Sequence, residues 1–297
     1  GHALRAGTST PSPPELPLEE VLKLVGTPGV YEDNALSFLM KLLYGARLCA
    51  PWLVVAVQRL ACHVTKWNAE CDRRLKRIYD FLHSNPELML TGCLAKSDSP
   101  HLSLHVWPDA DLNGDMMHTK STGGCYIEVQ GLGDRCFPIC YGCRKQNGSA
   151  LHTPESETVS LATFLRNDAL PLQSLLQSLL GRPVDMIVHE DNQPCIAIIK
   201  KGYSPSLRCL VRTQRCSLGV VHETFHEPAP EGFGKSALIY TKSELHKGDL
   251  LTKYLDKPGF EKALGLIHVA QRDQWISSGS GSLEGECLFN AHNALKN

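Results

Sequence analysis

The stretch that most constrains the fold is residues 102–115, LSLHVWPDADLNGD. Its first five residues alternate between apolar and polar side chains, which is the period of a half-buried β-strand, and Trp107-Pro108 is expected to end that strand. Three aspartates follow, Asp109, Asp111 and Asp115. Carboxylates at the end of a core strand repel one another unless a cation lies among them, and their hard oxygen atoms suit Mg²⁺ or Mn²⁺. A polar Asp/Asn/Gly turn explains this stretch equally well on its own.

Length and composition are those of an ordinary globular protein. The 297 residues, 42% hydrophobic and 21% charged, are enough for one large or two modest domains. The formal net charge of -1 conceals an excess of positive charge in residues 192–216, which contain no acidic residue. The basic residues there are Lys200, Lys201, Arg208, Arg212 and Arg215. Such a run is most often a solvated surface, but beside carboxylates it can steer a phosphate backbone.

The cysteines and the apolar runs argue against several other classes of protein. The 12 cysteines are scattered and no secretory signal precedes them, so a disulfide framework is not expected. Cys136, Cys140 and Cys143 form one tight group. A zinc site built on them is a minor alternative, because no matching fourth ligand follows at finger spacing. The longest apolar run, residues 48–57, is too short to span a bilayer, and no membrane association is expected.

The chain divides into four predicted regions. Residues 1–33 are rich in Ser, Thr, Pro and Gly and predict a flexible lead-in, and residues 276–297 predict a flexible tail. Residues 34–95 carry apolar side chains at spacings of three and four, which indicates a small all-helical subdomain. Residues 102–265 alternate between strand and helix patterns and predict an α/β domain.

The α/β region is predicted to contain a mixed five-stranded sheet with flanking helices. The predicted strands are residues 102–106, 125–130, 136–143, 184–188 and 237–241. Pro138 indicates that the third strand lies at a sheet edge. Thr153-Pro154 predicts a helix start, residues 193–201 predict a helix that ends at Gly202, and a further helix is expected over residues 204–224.

The predicted sheet brings together carboxylates that are distant in sequence. The first strand and the strand that ends at Val188 are most naturally parallel neighbours, which places Asp109 beside Asp191. Glu157, about one turn into its helix, and Asp249, at the start of the last helical stretch, are expected to lean into the same pocket. Four carboxylates around one pocket require cations, and two divalent ions are the usual solution.

A series of motifs runs in order through residues 34–260. The motifs are ALSFLMKLLYGAR, QRLACHVTKW, RRLKRIYDFL, PDADLNGD, TKSTGG, RKQ, HTPESETVSLAT, HEDN, KGYSPSLR, RTQR and LHKGDLLTKYL. Together they resemble the C-terminal part of the polymerase polyprotein of copia-type LTR retrotransposons, in particular the copies found in dinoflagellate genomes. The resemblance implies an RNase H-like domain at residues 102–265, preceded by the helical end of a reverse transcriptase, its thumb or connection, at residues 34–95.

By this resemblance, Asp109, Glu157, Asp191 and Asp249 match the four catalytic, metal-binding carboxylates of the family, and Glu155 is a rival for Glu157. The implied activity is hydrolysis of the RNA strand of an RNA/DNA hybrid with two Mg²⁺ or Mn²⁺ ions. The residues implied in substrate binding are Arg144, Lys145, Asn192, Lys200, Lys201, Arg208 and Arg212.

The resemblance also implies a context. The polymerase palm is absent from these residues, so no DNA synthesis is expected, and an upstream palm of the same polyprotein is the implied protein partner. The implied location is intracellular, in a cytoplasmic particle or the nucleus. Cys209 departs from the family, which usually has His at that position. The alternative function is a catalytically inactive remnant that keeps the fold and at most binds nucleic acid.

Overall fold

The computed structural model describes residues 7–14, 16–112 and 120–272, so the predictions for Asp115 and for the tail at 276–297 lie outside the described residues. The first part of the chain is helical. Its helices are α1 Leu18–Val25, α2 Ala35–Leu48, α3 Val54–Ala61 and α4 Ala69–Ser84. The buried side chains of α2 recur at spacings of three and four, as one apolar face requires. Asn68 caps α4 by accepting a hydrogen bond from the amide of Cys71 at 3.1 Å.

Two sheets follow along the chain. The strands are β1 Leu88–Leu90, β2 Ser103–Asp111, β3 Thr122–Gln130, β4 Cys136–Lys145, β5 Met186–Glu190, β6 Ser236–Tyr240 and β7 Val269–Gln271. The central sheet has the order β4-β3-β2-β5-β6, and β1 pairs separately with β7. β2, β3 and β4 pair antiparallel, whereas β5 and β6 add in parallel beside β2. The predicted α/β architecture, a mixed five-stranded sheet with flanking helices after a helical region, is confirmed.

Helices of the second part of the chain cover the sheet. They are α5 Thr153–Phe164, α6 Leu170–Leu180, α7 Gln193–Lys201, α8 Leu210–Thr213, α9 Leu218–His226 and α10 Lys257–Leu266. A π-helical turn, Leu165–Ala169, joins α5 to α6. Gly202 ends α7 with φ of +67°, a left-handed conformation that favours glycine. Within the described residues, every helix is too short or too polar to cross a bilayer.

The two faces of the sheet enter different hydrophobic cores. Val106 and Ile127 point to the face covered by α5, α7 and α9. Trp107 and Tyr126 point to the opposite face, where they join buried side chains of α2, α3, α4 and α10. The helices of residues 34–95 therefore share a core with the sheet, and the domain boundaries derived from the sequence stay predictions.

The expectation that Trp107-Pro108 ends the first strand is wrong. β2 continues to Asp111, and Pro108 lies opposite Cys125 of β3. The amide of Leu104 points to the β5 side, and alternate residues of a strand direct their nitrogen atoms to the same side. The nitrogen of Pro108 points to the same side, but pairing with β5 ends at Val106. β2 therefore tolerates Pro108, because the sheet requires no hydrogen bond from that nitrogen.

Other elements also differ from the prediction: β3 begins three residues earlier, at Thr122, β4 ends two residues later, at Lys145, and β6 begins and ends one residue earlier. β5 starts and ends two residues later than the predicted range of 184–188. Its later start agrees with the bonds of Val184, whose amide donates to Oε1 of Gln177 on α6 at 3.3 Å and whose carbonyl accepts from Nε2 of Gln173 at 2.9 Å. The helix expected over residues 204–224 is broken into a 3₁₀ turn, α8 and α9. Arg215, with φ of +56°, lies at the break between α8 and α9.

Two predictions concern β4: that it lies at a sheet edge and, as a minor alternative, that its cysteines bind zinc. It is an edge strand, as Pro138 predicted, and the register shifts beside that proline. The zinc alternative is wrong, because Cys136, Cys140 and Cys143 are spread along an extended strand that rises about 3.3 Å per residue. Among the residues that the structure describes, no group with metal-binding geometry contains two of these cysteines.

Candidate metal centre

Two aspartates lie at the carboxyl ends of neighbouring parallel strands, Asp109 near the end of β2 and Asp191 directly after β5. Val106 of β2 pairs with Val188 of β5, and each aspartate lies three positions further along its strand. Asp109 is fully buried, whereas Asp191 is partly exposed and accepts a hydrogen bond from the hydroxyl of Ser243 at 2.5 Å. The parallel pairing, which was predicted from the sequence, thus brings Asp109 and Asp191 together.

Helix α5 delivers Glu157 to the same place. Ser160, about one turn after Glu157, donates a hydrogen bond to the backbone carbonyl of Asp109 at 2.7 Å. Gly123 permits this close approach, because a Cβ there would lie 2.8 Å from the hydroxyl oxygen of Ser160. Asp109, Glu157 and Asp191 each offer a carboxylate oxygen, and these oxygens lie within 4.8 Å of one another.

The two glutamates of the PESE motif have different environments. Glu155 accepts a hydrogen bond from the amide of Leu151 at 2.8 Å, at the start of its own helix. Glu157 is 4% exposed, and its Oε2 has no hydrogen-bond partner among the described residues. Burial raises the pKa of Glu157 well above its usual value, and the charges of Asp109 and Glu190 raise it further. The structure therefore directs Glu157, and not Glu155, into the carboxylate pocket.

Glu190 is a further carboxylate of the pocket, and it was not predicted from the sequence. It is fully buried at the end of β5, where its Oε1 accepts a hydrogen bond from the amide of Asn192 at 3.1 Å. Its Oε2 has no partner among the described residues. Burial raises the pKa of Glu190, and the neighbouring charges of Asp191 and Asp109 add to this effect. Glu190 shares a face of β5 with the buried side chains of Met186 and Val188, so the period of two in this strand contained a signal that Glu190 is buried.

Asp249 reaches the pocket from a 3₁₀ turn. Gly248 lets this turn approach β2, because a Cβ there would lie 2.8 Å from the Cβ of Asp109. The ammonium of Lys253 donates hydrogen bonds to Oδ1 of Asp249 at 2.6 Å and to Oδ1 of Asp109 at 3.2 Å. The hydroxyl of Thr252 donates to Oδ2 of Asp109. Burial and the charge of Asp109 raise the pKa of Asp249, whereas Lys253 lowers it.

Asp111 is neutralised by a residue from the helical region. Arg59 of α3 is 5% exposed and donates hydrogen bonds to Asp111 and to the carbonyl of Thr252, the latter at 2.7 Å. Its guanidinium also lies over the ring of Tyr254, at 4.2 Å from the ring centre. Arg59 therefore holds the segment after Asp249 against the end of β2.

Most of the predicted substrate-binding residues lie along α7 and the segment after it. Asn192 caps α7 by accepting a hydrogen bond from the amide of Cys195 at 2.9 Å, so this helix starts at the pocket. Lys200 and Lys201 end the same helix. Lys200, Lys201, Arg208 and Arg212 are all exposed. The four basic residues, called here the basic surface, lie at the end of α7 and in the segment after it, whereas Asn192 lies at the opposite end of this helix.

Arg144 and Lys145, the other predicted substrate-binding residues, end β4 and are separated from β2 by β3. The guanidinium of Arg144 donates to both carboxylate oxygens of Asp168, at 2.7 and 2.8 Å. It also lies over the ring of Phe164, at 4.7 Å from the ring centre. The structure thus places Arg144 in an ion pair on the α5 side of the sheet, apart from the other predicted contacts.

The donors of the pocket fit a hard divalent cation. Asp109, Glu157 and Asp191 supply only oxygen atoms, which are the ligands that Mg²⁺ and Mn²⁺ prefer. The unpartnered oxygens of Glu157 and Glu190 are buried acceptors whose charge needs a proton or a cation nearby. A second group, Asp109, His246 and Asp249, has ligand atoms that also lie within 4.8 Å of one another.

The chain matches no protein-family model. Similar solved structures include RNase H1 from the halophilic archaeon Halobacterium salinarum NRC-1, with 14% identity over 50% of this chain and 94% of that chain, and a TM-score of 0.32. LC11-RNase H1, isolated from compost by a metagenomic approach, has 12% identity over 55% of this chain and 98% of its own, with a TM-score of 0.31. Prototype Foamy Virus protease-reverse transcriptase has 10% identity over 56% of this chain and 20% of its own, with a TM-score of 0.27. None of these similarities assigns an activity to this chain.

Proposed function

We propose that this chain is the metal-dependent ribonuclease H domain of a retrotransposon polyprotein and hydrolyses the RNA strand of RNA/DNA hybrids. The observation that carries the proposal is the convergence of Asp109, Glu157 and Asp191, with an unpartnered oxygen of Glu157 buried among them. A buried carboxylate without a donor is costly unless a cation compensates it. The ordered motifs shared with copia-type elements, in particular those of dinoflagellates, support the retroelement origin.

Two divalent ions, Mg²⁺ or Mn²⁺, are the proposed cofactors. Asp109, Glu157 and Asp191 would hold one ion, and Asp109 with Asp249 would hold the other. A bound divalent ion supplies Lewis-acid stabilisation of a phosphodiester and lowers the pKa of a coordinated water. Asp109 is central because it belongs to both groups, and the Thr252 hydroxyl orients its carboxylate.

The basic surface along α7 is the proposed binding site for the hybrid. Its exposed lysines and arginines would contact phosphate oxygens, which positions a duplex without reading its sequence. α7 starts beside Asp191 and ends at Lys200 and Lys201, so a backbone bound along this helix would lead to the carboxylates. Arg144 and Lys145 lie two strands away from β2, and Arg144 would first have to leave Asp168 to contact the hybrid.

The helices before the sheet are proposed to be the end of a reverse transcriptase, at residues 34–95, between a lead-in at 1–33 and the nuclease domain at 102–265. The upstream palm of the same polyprotein is the proposed partner. Exposed apolar side chains on α2 are compatible with such a contact. The proposed location is the intracellular particle or the nucleus in which such elements replicate.

The test is cleavage of a labelled RNA/DNA hybrid in Mg²⁺ and in Mn²⁺, with Asp109→Asn and Asp191→Asn variants. Because both variants remove charge where a cation would bind, each is expected to lower the rate by about 100-fold or more. Asp134→Asn, which changes an exposed carboxylate of the β3–β4 turn, is the matched control and should keep full activity. A folded wild-type chain that leaves the hybrid intact in both metals would instead support the inactive remnant.

A further inference from the structure

The carboxylates of the pocket differ in how their charge is compensated. Asp109, Glu157 and Asp191 converge without a lysine or arginine that hydrogen-bonds to Glu157 or Asp191 in the part of the chain that the structure describes. Asp109 and Asp249, in contrast, share the ammonium of Lys253. On one side of Asp109, Glu157 and Asp191 therefore have no cation hydrogen-bonded to them among the described residues, whereas on the other side Asp249 already has one.

The ammonium of Lys253 contacts the same atoms that a second ion would need. It lies 2.6 Å from Oδ1 of Asp249 and 3.2 Å from Oδ1 of Asp109, in the manner of a cation bridging two carboxylates. A divalent ion bridging these two carboxylates would compete with it, because both cations need the same oxygen atoms. Charge repulsion between an ammonium and a divalent ion excludes their simultaneous binding at this distance.

We infer that Lys253 acts as an internal counter-cation that occupies the second metal position, so that one divalent ion binds readily and the second binds only by displacing Lys253. This inference rests on the proposed function. Displacement is sterically feasible, because the Lys253 side chain is 35% exposed and is anchored only through a flexible stem to the turn that carries Asp249. Lys253 is thus a positioning residue that sets the affinity of the pocket for its second ion.

The inference also explains why Asp249 differs from Glu157. Both carboxylates lie near Asp109, but only Asp249 has a lysine four residues further along the chain on the same turn. Without an added cation, Lys253 keeps the Asp109 and Asp249 carboxylates together at low electrostatic cost. The second position is therefore kept assembled when only one ion is present.

The experiment is a titration of the full chain with Mn²⁺, followed by calorimetry and by the electron paramagnetic resonance signal of paired Mn²⁺ ions, without any nucleic acid. The wild-type chain is expected to bind one ion first and a second more weakly. In Lys253→Met, the second ion should bind about tenfold or more tightly, because a competing positive charge has been removed. Lys253→Gln is a second neutral variant, and Lys253→Arg, which keeps the charge, should behave like the wild type.

The outcomes separate this inference from the proposed function. Two ions that bind the wild type and both neutral variants with unchanged affinities would overturn the role of Lys253 and leave the metal site standing. A folded wild-type chain and folded variants that bind no Mn²⁺ would overturn the proposed function itself. Tighter second-ion binding in the neutral variants, together with a wild-type affinity in Lys253→Arg, would support the inference.

Discussion

Two carboxylates are buried at opposite ends of β2, and their surroundings differ completely. Asp98, in the turn before β2, is fully buried and accepts hydrogen bonds from the amides of Ala95 and Leu132 at 2.7 and 3.0 Å. Two further bonds come from the guanidinium of Arg135, at 2.7 and 2.5 Å. Glu157, beyond the other end of the strand, has an oxygen with no donor among the described residues.

The same contrast separates their pKa values. Hydrogen bonds from Arg135 hold the pKa of Asp98 well below its usual range and outweigh the opposite effect of burial. For Glu157, burial and neighbouring negative charges act in the same direction and raise the pKa. Burial alone therefore does not distinguish a structural carboxylate from a functional one. The hydrogen-bond donors supplied by the chain do distinguish them, because a buried carboxylate without such donors must take up a proton or bind a cation.

The largest expected effect comes from removing the carboxylate of Asp98, to which the chain itself supplies the hydrogen-bond donors. Asp98→Ala leaves Arg135 and two amides without their acceptor, and it should lower the free energy of unfolding by about 3–5 kcal/mol. Urea denaturation followed by circular dichroism measures this loss. Asp134→Asn, which changes an exposed carboxylate in the same turn as Arg135, is the control and should change little. A loss no larger than that of the control would contradict the structural role of Asp98.

Asp98 also predicts a dependence on pH. Its pKa is lower in the folded chain than in the unfolded chain, so its stabilisation is present above the unfolded value of about 3.9 and is lost as the pH falls towards the folded value. Between about pH 4 and about pH 2 the wild type should therefore lose stability more steeply than Asp98→Asn. Parallel curves for the two proteins would show that Asp98 does not contribute in this way.

Arg59→Met tests an intermediate case, in which the cation for a carboxylate comes from another region of the chain. The substitution leaves Asp111 partly buried without its arginine and removes a bond to the carbonyl of Thr252, so we expect a loss of about 2–3 kcal/mol. It should also weaken Mn²⁺ binding, because the segment carrying Asp249 loses its anchor. Lys66→Met, which changes an exposed cation of the same helical region, is the control. Unchanged metal affinity in Arg59→Met would show that the helices do not support the pocket.

Arg59 also shows where prediction from the sequence ends. The alternation in β2 and the bounds of α7 are local patterns that the sequence shows directly. Together with the assumption that β2 and β5 are parallel neighbours, they were enough to place Asp109 beside Asp191. The contact of Arg59 with Thr252 joins residues 193 positions apart, and no local pattern indicates it. Lys253 had a local signal, its spacing of four from Asp249, but its role depends on Asp109, which only the fold brings close.

The smallest expected effect has the opposite sign and completes the comparison of the two buried carboxylates. Because the pKa of Glu157 is raised in the folded chain, its contribution is fully present below the unfolded value and is lost as the pH rises. Without metal at pH 7, Glu157→Gln should therefore increase the free energy of unfolding by about 1–2 kcal/mol, since a neutral amide avoids this cost.

Added Mn²⁺ should stabilise the wild type and leave Glu157→Gln nearly unchanged, because the variant lacks a charged ligand. Glu155→Gln, the neighbouring glutamate that bonds to the amide of Leu151, is the matched control and should keep the response to metal. Thermal melts with and without Mn²⁺ measure both effects. If Glu157→Gln destabilised the metal-free chain as strongly as Asp98→Ala, the two carboxylates would have the same structural role, and the distinction based on their donors would fail.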